Sequence, residues 1–579
     1  MQTIAEYLTA LVEQAVRAIG HEDETVDPCV ATRDASHGDY QSNFALRLGK
    51  KLGREGPGPR GVAEQIVAAL PDEPAVASVA IAGPGFINFT LEPEWLAGQL
   101  DARMRDERFG PPDAGQGRTV VMDYSSPNIA KRMHIGHLRS TIIGNALDRM
   151  HRWLGWTVIA DNHLGDWGTP FGKLITAWHR ERDEDAYAAD PVGELQRLYE
   201  WSGDAAKNDE RFMETARSET VKLQNREPET VALWQQFVDV SMAEFNQVYE
   251  RLGVAFDEIR GESAYADELK PLVDDLLAQG IATESDGAVI IEFMPEDGKG
   301  LAKQPMLIRK ADGAALYGTT DLATVRYRAT HHNADRILIL TDGRQQLHFR
   351  QVFAAARKMG FGNVDQQHVW FGTLRIEGAA ASSRSGNVIN LVDLLDEAER
   401  RTLKVVEERD EQGFLSEDER KEVARKVGVG TIKYFDLSQN PQSDINFAWD
   451  RALALDSGSA VYLEYAHARL KSLLRNAELE GQVPSVPPAI EHETERTLVV
   501  LANRTPEVVQ LAVESCRPNL LADHLEALAG AVGPWWNQCP VLKGVPESVK
   551  ARRLALAFGV AKALETGLGL LGIEAVERM

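Results

Sequence analysis

Two histidines and a lysine stand close together in the stretch DYSSPNIAKRMHIGH, residues 123–137. His134 and His137 are three residues apart and Lys131 precedes His134 by three, so a helix would place the two histidines on one face. Gly136 removes a side chain where a flat group could pack closely. The stretch ends a predicted strand and opens a predicted helix, where backbone N–H groups and the helix dipole favour phosphate. Such a cluster would stabilise negative charge that develops on a phosphate oxygen.

Two other interpretations of the histidine pair are a metal-binding pair and an incidental one. On the HxxH spacing alone, either would be the more common outcome. A metal ion needs further ligands, and none stand nearby at helical spacing, so no metal ligand is predicted. The chain also lacks a G-K-S/T phosphate loop and a G-x-S-x-G nucleophile elbow. A nucleotide would therefore be held by another device.

The sequence around the histidines predicts a parallel sheet. The run TVVMDYSSPN ends abruptly in polar residues and a proline, which is typical of a buried parallel strand that opens into a loop. A helical stretch at about 135–153 and a second apolar run, TVIADN, follow it, and RILILTDG at 336–343 is a third strand. This strand–loop–helix–strand order predicts a doubly wound α/β sheet. The charged, helical sequence at about 181–275 is interpreted as an insertion.

Three domains are predicted along the chain. A linker rich in Pro, Gly and Asp at 110–118 separates a small α+β domain at 1–112 from the sheet domain at 113–450. The remaining residues, 451–579, are mostly amphipathic helix and predict a helical bundle.

Composition restricts the partners and the location. The 579 residues carry 63 Lys and Arg against 87 Asp and Glu, a net charge of −24, so a nucleic acid would need locally placed cations. The three cysteines include no CxxC pair, which argues against a disulfide framework and a Cys-rich zinc site. No stretch approaches the ~18 apolar residues of a membrane helix. We expect a cytoplasmic protein with no membrane partner.

The histidine stretch resembles the HIGH signature of class I aminoacyl-tRNA synthetases, and its surroundings resemble the arginine-specific members. The similarity covers nearly the whole chain. The stretches that carry it, besides PNIAKRMHIGH, are DYSSPN, LRSTIIGN, HLGDWGTPFGKL (163–174), GES-Y (261–265), LYGTTDLATVRYR (316–328), YFDLSQN (434–440) and YLEYAHARLKSLLR (462–475).

This resemblance implies both a fold and an activity. The fold is a Rossmann-like doubly wound parallel sheet with helical insertions, a C-terminal α-helical anticodon-binding bundle and an N-terminal domain that contacts the tRNA elbow. The implied activity is that of an arginine–tRNA ligase, which uses ATP and Mg²⁺ to form arginyl-adenylate and transfers arginine to the 3′-terminal adenosine of tRNA(Arg). On the resemblance alone we expect a monomer.

The resemblance also assigns residues to the arginine and tRNA sites. Arginine is a planar cation with five N–H donors, so its site should offer carboxylates and flat acceptors. The residues that match the family's guanidinium contacts are Asp123, Tyr317 and Asp321, and those for the amino and carboxylate end are Ser125, Asn128 and Gln345. The tRNA contacts are expected from Phe86, Asn88, His467, Lys471 and Arg475. The last three share an i, i+4 row that could meet a phosphate backbone or be an ordinary solvated face.

The ATP site is expected from the histidine segment and from a second loop, SSRSGN, which resembles the end of the family's KMSKS loop. The residues concerned are His134, Gly136, His137, Ser382 and Ser383 for ATP, with Lys131 and Arg384 as the cations of catalysis.

The KMSKS-like loop is the main departure from the family pattern. Ala380 and Ala381 stand where Lys and Met would be, and Ser383 stands at the second lysine. Loss of one charge-assisted contact to a phosphate costs about 1.5–3 kcal/mol, or roughly 10- to 150-fold in rate. The hypothesis is that Lys131 and Arg384 supply most of the remaining charge. A lesser departure is Glu464, where Gln is more common.

The altered loop leaves alternatives open. One is a divergent paralogue that binds tRNA or arginine as a regulatory protein, and another is an enzyme that charges tRNA for a specialised pathway. A nucleotidylyltransferase of small molecules would share the HxGH chemistry, but it would not need the two flanking domains.

Overall fold

The computed structural model describes residues 1–32, 34–53, 56–376, 379–380, 389–410, 413–454 and 458–579. The helices are α1 (Ile4–Ala18), α2 (Phe44–Lys51), α3 (Gly58–Ala69), α4 (Pro93–Arg105), α5 (Ile135–Trp153), α6 (Thr169–Glu181), α7 (Glu184–Ala189), α8 (Pro191–Asn208), α9 (Glu210–Gln224), α10 (Pro228–Arg251), α11 (Ala266–Ala278), α12 (Tyr317–His331), α13 (Gln346–Lys358), α14 (Leu391–Arg409), α15 (Glu417–Leu437), α16 (Trp449–Ala452), α17 (Ala460–Asn476), α18 (Glu493–Ser515), α19 (Asn519–Gln538) and α20 (Glu547–Leu570). The strands are β1 (Val30–Ala31), β2 (Tyr40–Ser42), β3 (Val76–Ala82), β4 (Phe86–Leu91), β5 (Thr119–Asp123), β6 (Thr157–Asn162), β7 (Glu258–Ile259), β8 (Thr283–Ser285), β9 (Ala288–Ile291), β10 (Met306–Arg309), β11 (Arg336–Asp342), β12 (Asp365–Phe371), β13 (Leu374–Ile376), β14 (Ala379–Ala380) and β15 (Ile445–Phe447).

The chain folds into two compact units. The first unit contains Met1–Ala114, Gly413–Val427 and Leu453–Met579, and the second contains Gly115–Gln412 and Gly428–Ala452. The predicted N-terminal domain and the predicted helical bundle therefore lie in one unit. Two of the four breaks between the units, after Ala114 and after Ala452, fall within a few residues of the predicted boundaries, and the other two enclose Gly413–Val427.

The first unit joins a small sheet to the helical bundle through buried polar groups. Its four strands pair in the order β1-β2-β4-β3 and are antiparallel. Glu507 on α18 is buried and accepts hydrogen bonds from the Tyr40 hydroxyl, at 2.8 Å, and from the Ala5 N–H, at 3.0 Å. The Asn503 side chain donates to the Leu96 carbonyl at 3.0 Å. Because a buried acceptor that loses its donors is destabilising, these contacts favour one packing of sheet on bundle.

Two side chains of α17 hold the C-terminal segment of the chain. Glu464 accepts a hydrogen bond from the Val576 N–H at 2.9 Å, and His467 Nδ1 donates to the Val576 carbonyl at 2.9 Å. Both side chains are fully buried. His467 therefore leaves the predicted tRNA-facing row, because its ring lies inside the bundle and cannot meet a phosphate backbone. Burial raises the pKa of Glu464 to about 7.

The second unit is built on a parallel sheet of five strands in the order β12-β11-β5-β6-β7. The chain proceeds from β5 to β6 and β7 on one side, and β11 and β12 lie on the other side of β5. The carboxyl ends of β5 and β11 thus border the point where the winding reverses, which is where ligands bind in such sheets. The predicted doubly wound sheet is confirmed. Helices α7 to α10 occupy most of the predicted insertion. Across the part of the chain that is described, no helix is both long and apolar enough to span a bilayer.

Glu464→Gln should remove a pH-dependent loss of stability. The folded carboxyl, with its pKa of about 7, keeps a proton that the unfolded chain releases from about pH 4.5, so the free energy of unfolding falls as pH rises through this window. The variant's gain over the unsubstituted chain should be larger at pH 8 than at pH 5 by about 2–3 kcal/mol. Thermal unfolding at both pH values measures it. Glu514→Gln, at an exposed position of α18, is the matched control, and equal gains for the two variants would contradict the prediction.

Candidate active site

The two histidines of the HIGH segment form the N-terminal cap of α5. His134 Nδ1 accepts a hydrogen bond from the Gly136 N–H at 3.0 Å, and His137 Nδ1 accepts one from the His134 N–H at 3.1 Å. Their ring centroids lie 4.1 Å apart. A neutral imidazole that accepts at Nδ1 carries its proton at Nε2. The cap therefore leaves each ring with an Nε2–H donor at the helix N-terminus.

The surroundings of both rings favour the neutral form. Burial, together with the charge of Lys131, lowers the pKa of His134. Burial and the neighbouring His134 and Lys131 lower the pKa of His137 to about 3. The segment thus supplies uncharged donors together with the partial positive charge of the helix end.

Gly136 leaves room for the His134 ring of this cap. A Cβ at this position would lie 2.7 Å from Cε1 and 2.8 Å from Nδ1 of His134. The His134 imidazole is therefore one flat group that packs closely against this glycine. A side chain at residue 136 would displace the ring and break its hydrogen bond.

The loop between β5 and α5 has an unusual backbone. Ser125, Ser126 and Ala130 have φ values of 73°, 48° and 62°, in the left-handed region that side chains disfavour. Each N–H of these residues is held by a side chain: Ser125 by Ser140 Oγ at 3.0 Å, Ser126 by Asn162 Oδ1 at 3.1 Å and Ala130 by Ser241 Oγ at 2.9 Å. The strained conformation is therefore fixed from α5, β6 and α10.

Ser125 and Asn128 have different surroundings within this loop. Ser125 is buried, and its Oγ lies 2.8 Å from the Tyr249 hydroxyl and accepts from the Thr141 hydroxyl at 2.9 Å. Asn128 is exposed and pairs through its backbone with Gly165. A Cβ at Gly165 would meet Asn128 Oδ1 at 2.1 Å, so the glycine lets the amide lie over the neighbouring loop.

A buried guanidinium joins the ends of β5 and β6. Asp123 and Asp161 face each other across these strands, and Arg328 of α12 donates to both carboxylates at 2.7 Å. Arg328 is 1% exposed. Although burial opposes the charge of Asp123, Arg328 holds the pKa of that carboxyl below its ordinary value. Asp123 was expected to bind the guanidinium of arginine. In this structure the Asp123 carboxylate binds Arg328 and also accepts from the Ser126 hydroxyl at 2.7 Å.

Arg328 was not among the residues predicted from the sequence, although its spacing carried a signal. It follows Tyr317 by eleven residues and Asp321 by seven, which puts all three along one stripe of α12. The stripe runs from an exposed tyrosine at the helix start to a buried arginine near its end.

An acidic group lies around the start of α12. Tyr317 is its first residue and is exposed, and Asp321 accepts a hydrogen bond from His348 Nε2 at 2.5 Å. Burial, with the charges of Asp166 and Asp321, raises the pKa of Glu262 to about 8. Although most of the Tyr317 side chain is exposed, partial desolvation and the charge of Glu262 raise its pKa. Three acidic or acceptor groups are therefore close enough to interact, and a bound cation would relieve their repulsion.

Glu262 is a second residue that the sequence analysis did not select, although it lies in the GES-Y stretch. Its turn is fastened to the HLGD loop: Asp166 accepts from the Ser263 N–H at 2.9 Å and from the Ser263 hydroxyl at 2.6 Å. A Cβ at Gly261 would lie 2.4 Å from the Asp166 carboxylate, which explains the glycine. The sequence did carry a signal for Glu262, because an acidic residue stands there inside a stretch that resembles the family.

The remaining predicted residues of the second unit are less enclosed. Gln345 is exposed in a 3-10 turn after β11. Lys131 Nζ lies 3.9 Å from the centroid of the Tyr199 ring. Ser382, Ser383 and Arg384 lie outside the described residues. The chain just after them is anchored beside the histidines, since the Ile135 N–H donates to the Ile389 carbonyl at 3.2 Å and the Leu391 N–H donates to the Met133 carbonyl at 3.0 Å.

The residues predicted to contact tRNA lie in the first unit. Phe86 begins β4 and is half-buried, whereas Asn88 is buried and accepts from the Gln41 side chain at 2.8 Å. Lys471 pairs with Glu577 at 2.8 Å, and Arg475 pairs with Glu480 at 3.4 Å. An RNA phosphate would have to compete with these carboxylates. Among the residues that the structure describes, no three His, Cys, Asp or Glu side chains are grouped closely enough to hold a metal ion.

Three family models match successive parts of the chain. They are the N-terminal domain of arginyl-tRNA synthetase at residues 6–91, the catalytic domain of class I tRNA synthetases (R) at 100–449 and the DALR anticodon-binding domain at 463–579. The arginine–tRNA ligase of Fusobacterium nucleatum is 40% identical over 583 residues, covering 100% of both chains. That of Alcanivorax borkumensis is 41% identical over 558 residues, covering 95% of this chain and 94% of its own.

Solved structures show the same fold. The arginyl-tRNA synthetases of Plasmodium falciparum and Thermus thermophilus each superpose with a TM-score of 0.85 over 100% of both chains. Their sequence identities to this chain are 24% and 23%.

Arg328→Met should destabilise the protein strongly, because it leaves Asp123 and Asp161 buried without a counter-ion. Removal of one partner of a buried ion pair costs about 3–5 kcal/mol. Urea-induced unfolding would measure the loss. Arg344→Met is the matched control, since that side chain is 88% exposed and pairs with Asp342 at the surface, where a pair is worth about 0–1 kcal/mol. Similar losses for the two variants would show that the buried bridge is not critical.

Proposed function

The chain belongs to the family of class I arginyl-tRNA synthetases, and from this premise we propose how its residues carry out the family's reaction. The protein is an arginine–tRNA ligase. It joins L-arginine to ATP to form arginyl-adenylate with release of pyrophosphate, and it then transfers arginine to the 3′-terminal adenosine of tRNA(Arg). The observation that carries this proposal is about 40% identity to arginine–tRNA ligases over the full length of the chain.

The acidic group at the start of α12 binds the arginine side chain. Glu262 and Asp321 provide carboxylates for the guanidinium, and Tyr317 provides a flat acceptor beside them. Asn128 and Gln345, both exposed, are placed at the amino and carboxylate end. Asp123 acts through Arg328, and Ser125 acts through its network with Tyr249. These two residues fix the loop and do not contact arginine directly.

Activation takes place at the N-terminus of α5. The arginine carboxylate forms a bond to the α-phosphorus of ATP while the bond to pyrophosphate breaks. His134 and His137 donate from Nε2–H to the phosphate oxygens, where negative charge accumulates. Because both rings are neutral, they give these hydrogen bonds without a change of protonation. ATP enters as its magnesium complex.

Positive charge at this site comes from Lys131 and from Arg384, with Ser382 and Ser383 as further donors to ATP. The support for Lys131 is its place in the loop that leads to His134. The support for the others is sequence resemblance and the attachment of Ile389 and Leu391 beside the histidines.

The first unit binds tRNA(Arg), with Phe86 and Asn88 near the elbow and Lys471 and Arg475 near the anticodon stem. A cytoplasmic monomer fits this role. The hydrogen bonds of Glu507 and Asn503 hold the N-terminal region and the helical bundle of this unit in a fixed orientation. A rigid unit that binds tRNA at two places loses less conformational entropy on binding than a flexible one would.

The first experiment is the charging of total tRNA with labelled arginine, with lysine and glutamine as controls and a blank without ATP. The expected result is ATP-dependent charging with arginine alone. Binding of tRNA without charging would contradict the proposal and favour a regulatory paralogue. In that case Ala380→Lys should be tested for restored activity.

Glu262→Gln should raise KM for arginine by roughly 10- to 150-fold, because it removes a charge-assisted contact to the guanidinium. KM for ATP should change little. In the unsubstituted enzyme, KM for arginine should fall up to about tenfold between pH 7 and pH 9, since the carboxyl with a pKa of about 8 becomes charged and binds the cation.

The Gln variant is its own control for the pH dependence, because any titration of arginine itself affects both proteins equally. A pH profile of the variant that is as steep as that of the unsubstituted enzyme would exclude Glu262 as the titrating group.

A further inference from the structure

Residues 130–132, just before the HIGH segment at 134–137, receive contacts from two helices of the insertion. The Ala130 N–H donates to Ser241 Oγ of α10 at 2.9 Å, and the Arg132 N–H donates to Gln196 Oε1 of α8 at 3.2 Å. The Arg132 guanidinium also pairs with the Asp190 carboxylate, at the N-cap of α8. Both backbone N–H groups that flank Lys131 are therefore fixed by the insertion.

Lys131 itself contacts the insertion through an aromatic ring. Its ammonium lies 3.9 Å from the centroid of Tyr199, three residues after Gln196 on α8. Among the described residues, Lys131 makes no ion pair with a carboxylate. Gln196 and Tyr199 occupy one face of the helix. Val192, Leu195 and Leu198 of the same helix are buried and fix it in place.

We propose that Tyr199 is a positioning residue for Lys131, whose ring face directs the ammonium toward the ATP phosphates during arginine activation. This inference rests on the proposed function, and specifically on the role of Lys131 given there. It assigns part of the catalytic geometry to the helical insertion.

The choice of an aromatic partner has a chemical reason. A carboxylate beside Lys131 would neutralise its charge and compete with phosphate for the ammonium. The face of an aromatic ring attracts the cation through its quadrupole but carries no net charge. The lysine is thus held in place while its full positive charge stays available to a phosphate. Burial lowers the pKa of Lys131 against the opposing charge of Glu200, which forms no ion pair with it among the described residues. The site is therefore one where water screens that charge less than at the open surface.

The aromatic ring of Tyr199, and not its hydroxyl, positions Lys131. Among the described residues, the Tyr199 hydroxyl makes no hydrogen bond, so Tyr199→Phe should behave as the unsubstituted enzyme. Tyr199→Leu keeps an apolar side chain and removes the quadrupole.

The test measures aminoacylation of tRNA by the full-length enzyme, with kcat and KM determined separately for ATP and arginine. Tyr199→Leu should lower kcat/KM for ATP about tenfold while KM for arginine stays within about twofold, as expected for loss of one cation–π contact in a desolvated site. Tyr199→Phe should leave kcat/KM for ATP unchanged. In a Lys131→Met background, Tyr199→Leu should add less than about twofold, because the residue acts through Lys131.

Trp201→Leu is the matched control. Trp201 lies on the same helix, but its ring packs against Phe212 and under Arg180. This substitution tests whether the loss of any large side chain from α8 selectively lowers kcat/KM for ATP. A matching selective loss of kcat/KM for ATP in this variant would overturn the proposal.

A graded series keeps the test decisive if Tyr199→Leu does not fold. Phenylalanine analogues with increasing numbers of ring fluorines at residue 199 preserve the shape and weaken the quadrupole. kcat/KM for ATP should fall stepwise along the series. A flat series would assign the ring a purely packing role and overturn the proposal.

Three further outcomes would overturn it. Unchanged kinetics of Tyr199→Leu, with Lys131→Met defective, would show that Lys131 needs no positioning by this ring. Fully additive effects of the two substitutions would place the action of Tyr199 elsewhere. Unchanged kinetics of Lys131→Met would remove the role of Lys131, and with it this inference, while ATP-dependent charging with arginine would still stand as the separate test of the function.

Discussion

The buried bridge from Arg328 to Asp123 and Asp161 is the interaction on which the geometry of the site depends. The two aspartates face each other at the ends of neighbouring parallel strands. Without a cation between them, burial and mutual repulsion would drive one toward protonation. The guanidinium removes this repulsion, and since it belongs to α12 it fastens that helix to the ends of β5 and β6. The positions of Tyr317 and Asp321, earlier on the same helix, follow from this attachment. The Asp123 carboxylate in turn holds the Ser126 hydroxyl in the strained loop that leads to the histidines.

Much of this arrangement was predictable from local patterns, and the rest depended on contacts between distant residues. The sheet, the insertion and the place of the histidines at a helix start follow from hydrophobic periodicity and from motifs along the chain. The partner of Asp123 was not predictable in the same way, because Arg328 is 205 residues away in sequence. The spacing at Gly136 correctly indicated a close approach, but only the structure identifies the approaching group as the ring of His134. His467 shows a further limit: its i, i+4 row predicts a shared face, and the packing of Val576 makes that position an interior one.

An enzyme that joins arginine to ATP must hold a cation and a polyanion side by side. The acidic group of Glu262 and Asp321 suits the first and would repel the second. Positively charged histidines at the start of α5 would suit the phosphates, but burial and the charge of Lys131 oppose a charge on these rings. The caps at His134 and His137 avoid this conflict, since each Nδ1 accepts a backbone N–H and burial keeps the ring neutral. Hydrogen-bond donors and the helix dipole then act on phosphate without adding a full charge that the acidic group would attract.

The same reasoning explains how the segment before the histidines is supported. With alanines at positions 380 and 381, where the family has a cation and a methionine, a larger share of the charge on the phosphates falls to Lys131. Any group that fixes this lysine must not neutralise it. The backbone on both sides of it is held by the hydroxyl of Ser241 and the amide of Gln196, and its ammonium is held by the ring of Tyr199. All three partners are uncharged. The one carboxylate nearby that forms an ion pair with this segment, Asp190, binds Arg132 instead. A support made of neutral groups fixes the position of the lysine and leaves its charge for the phosphates, which a support made of carboxylates would not do.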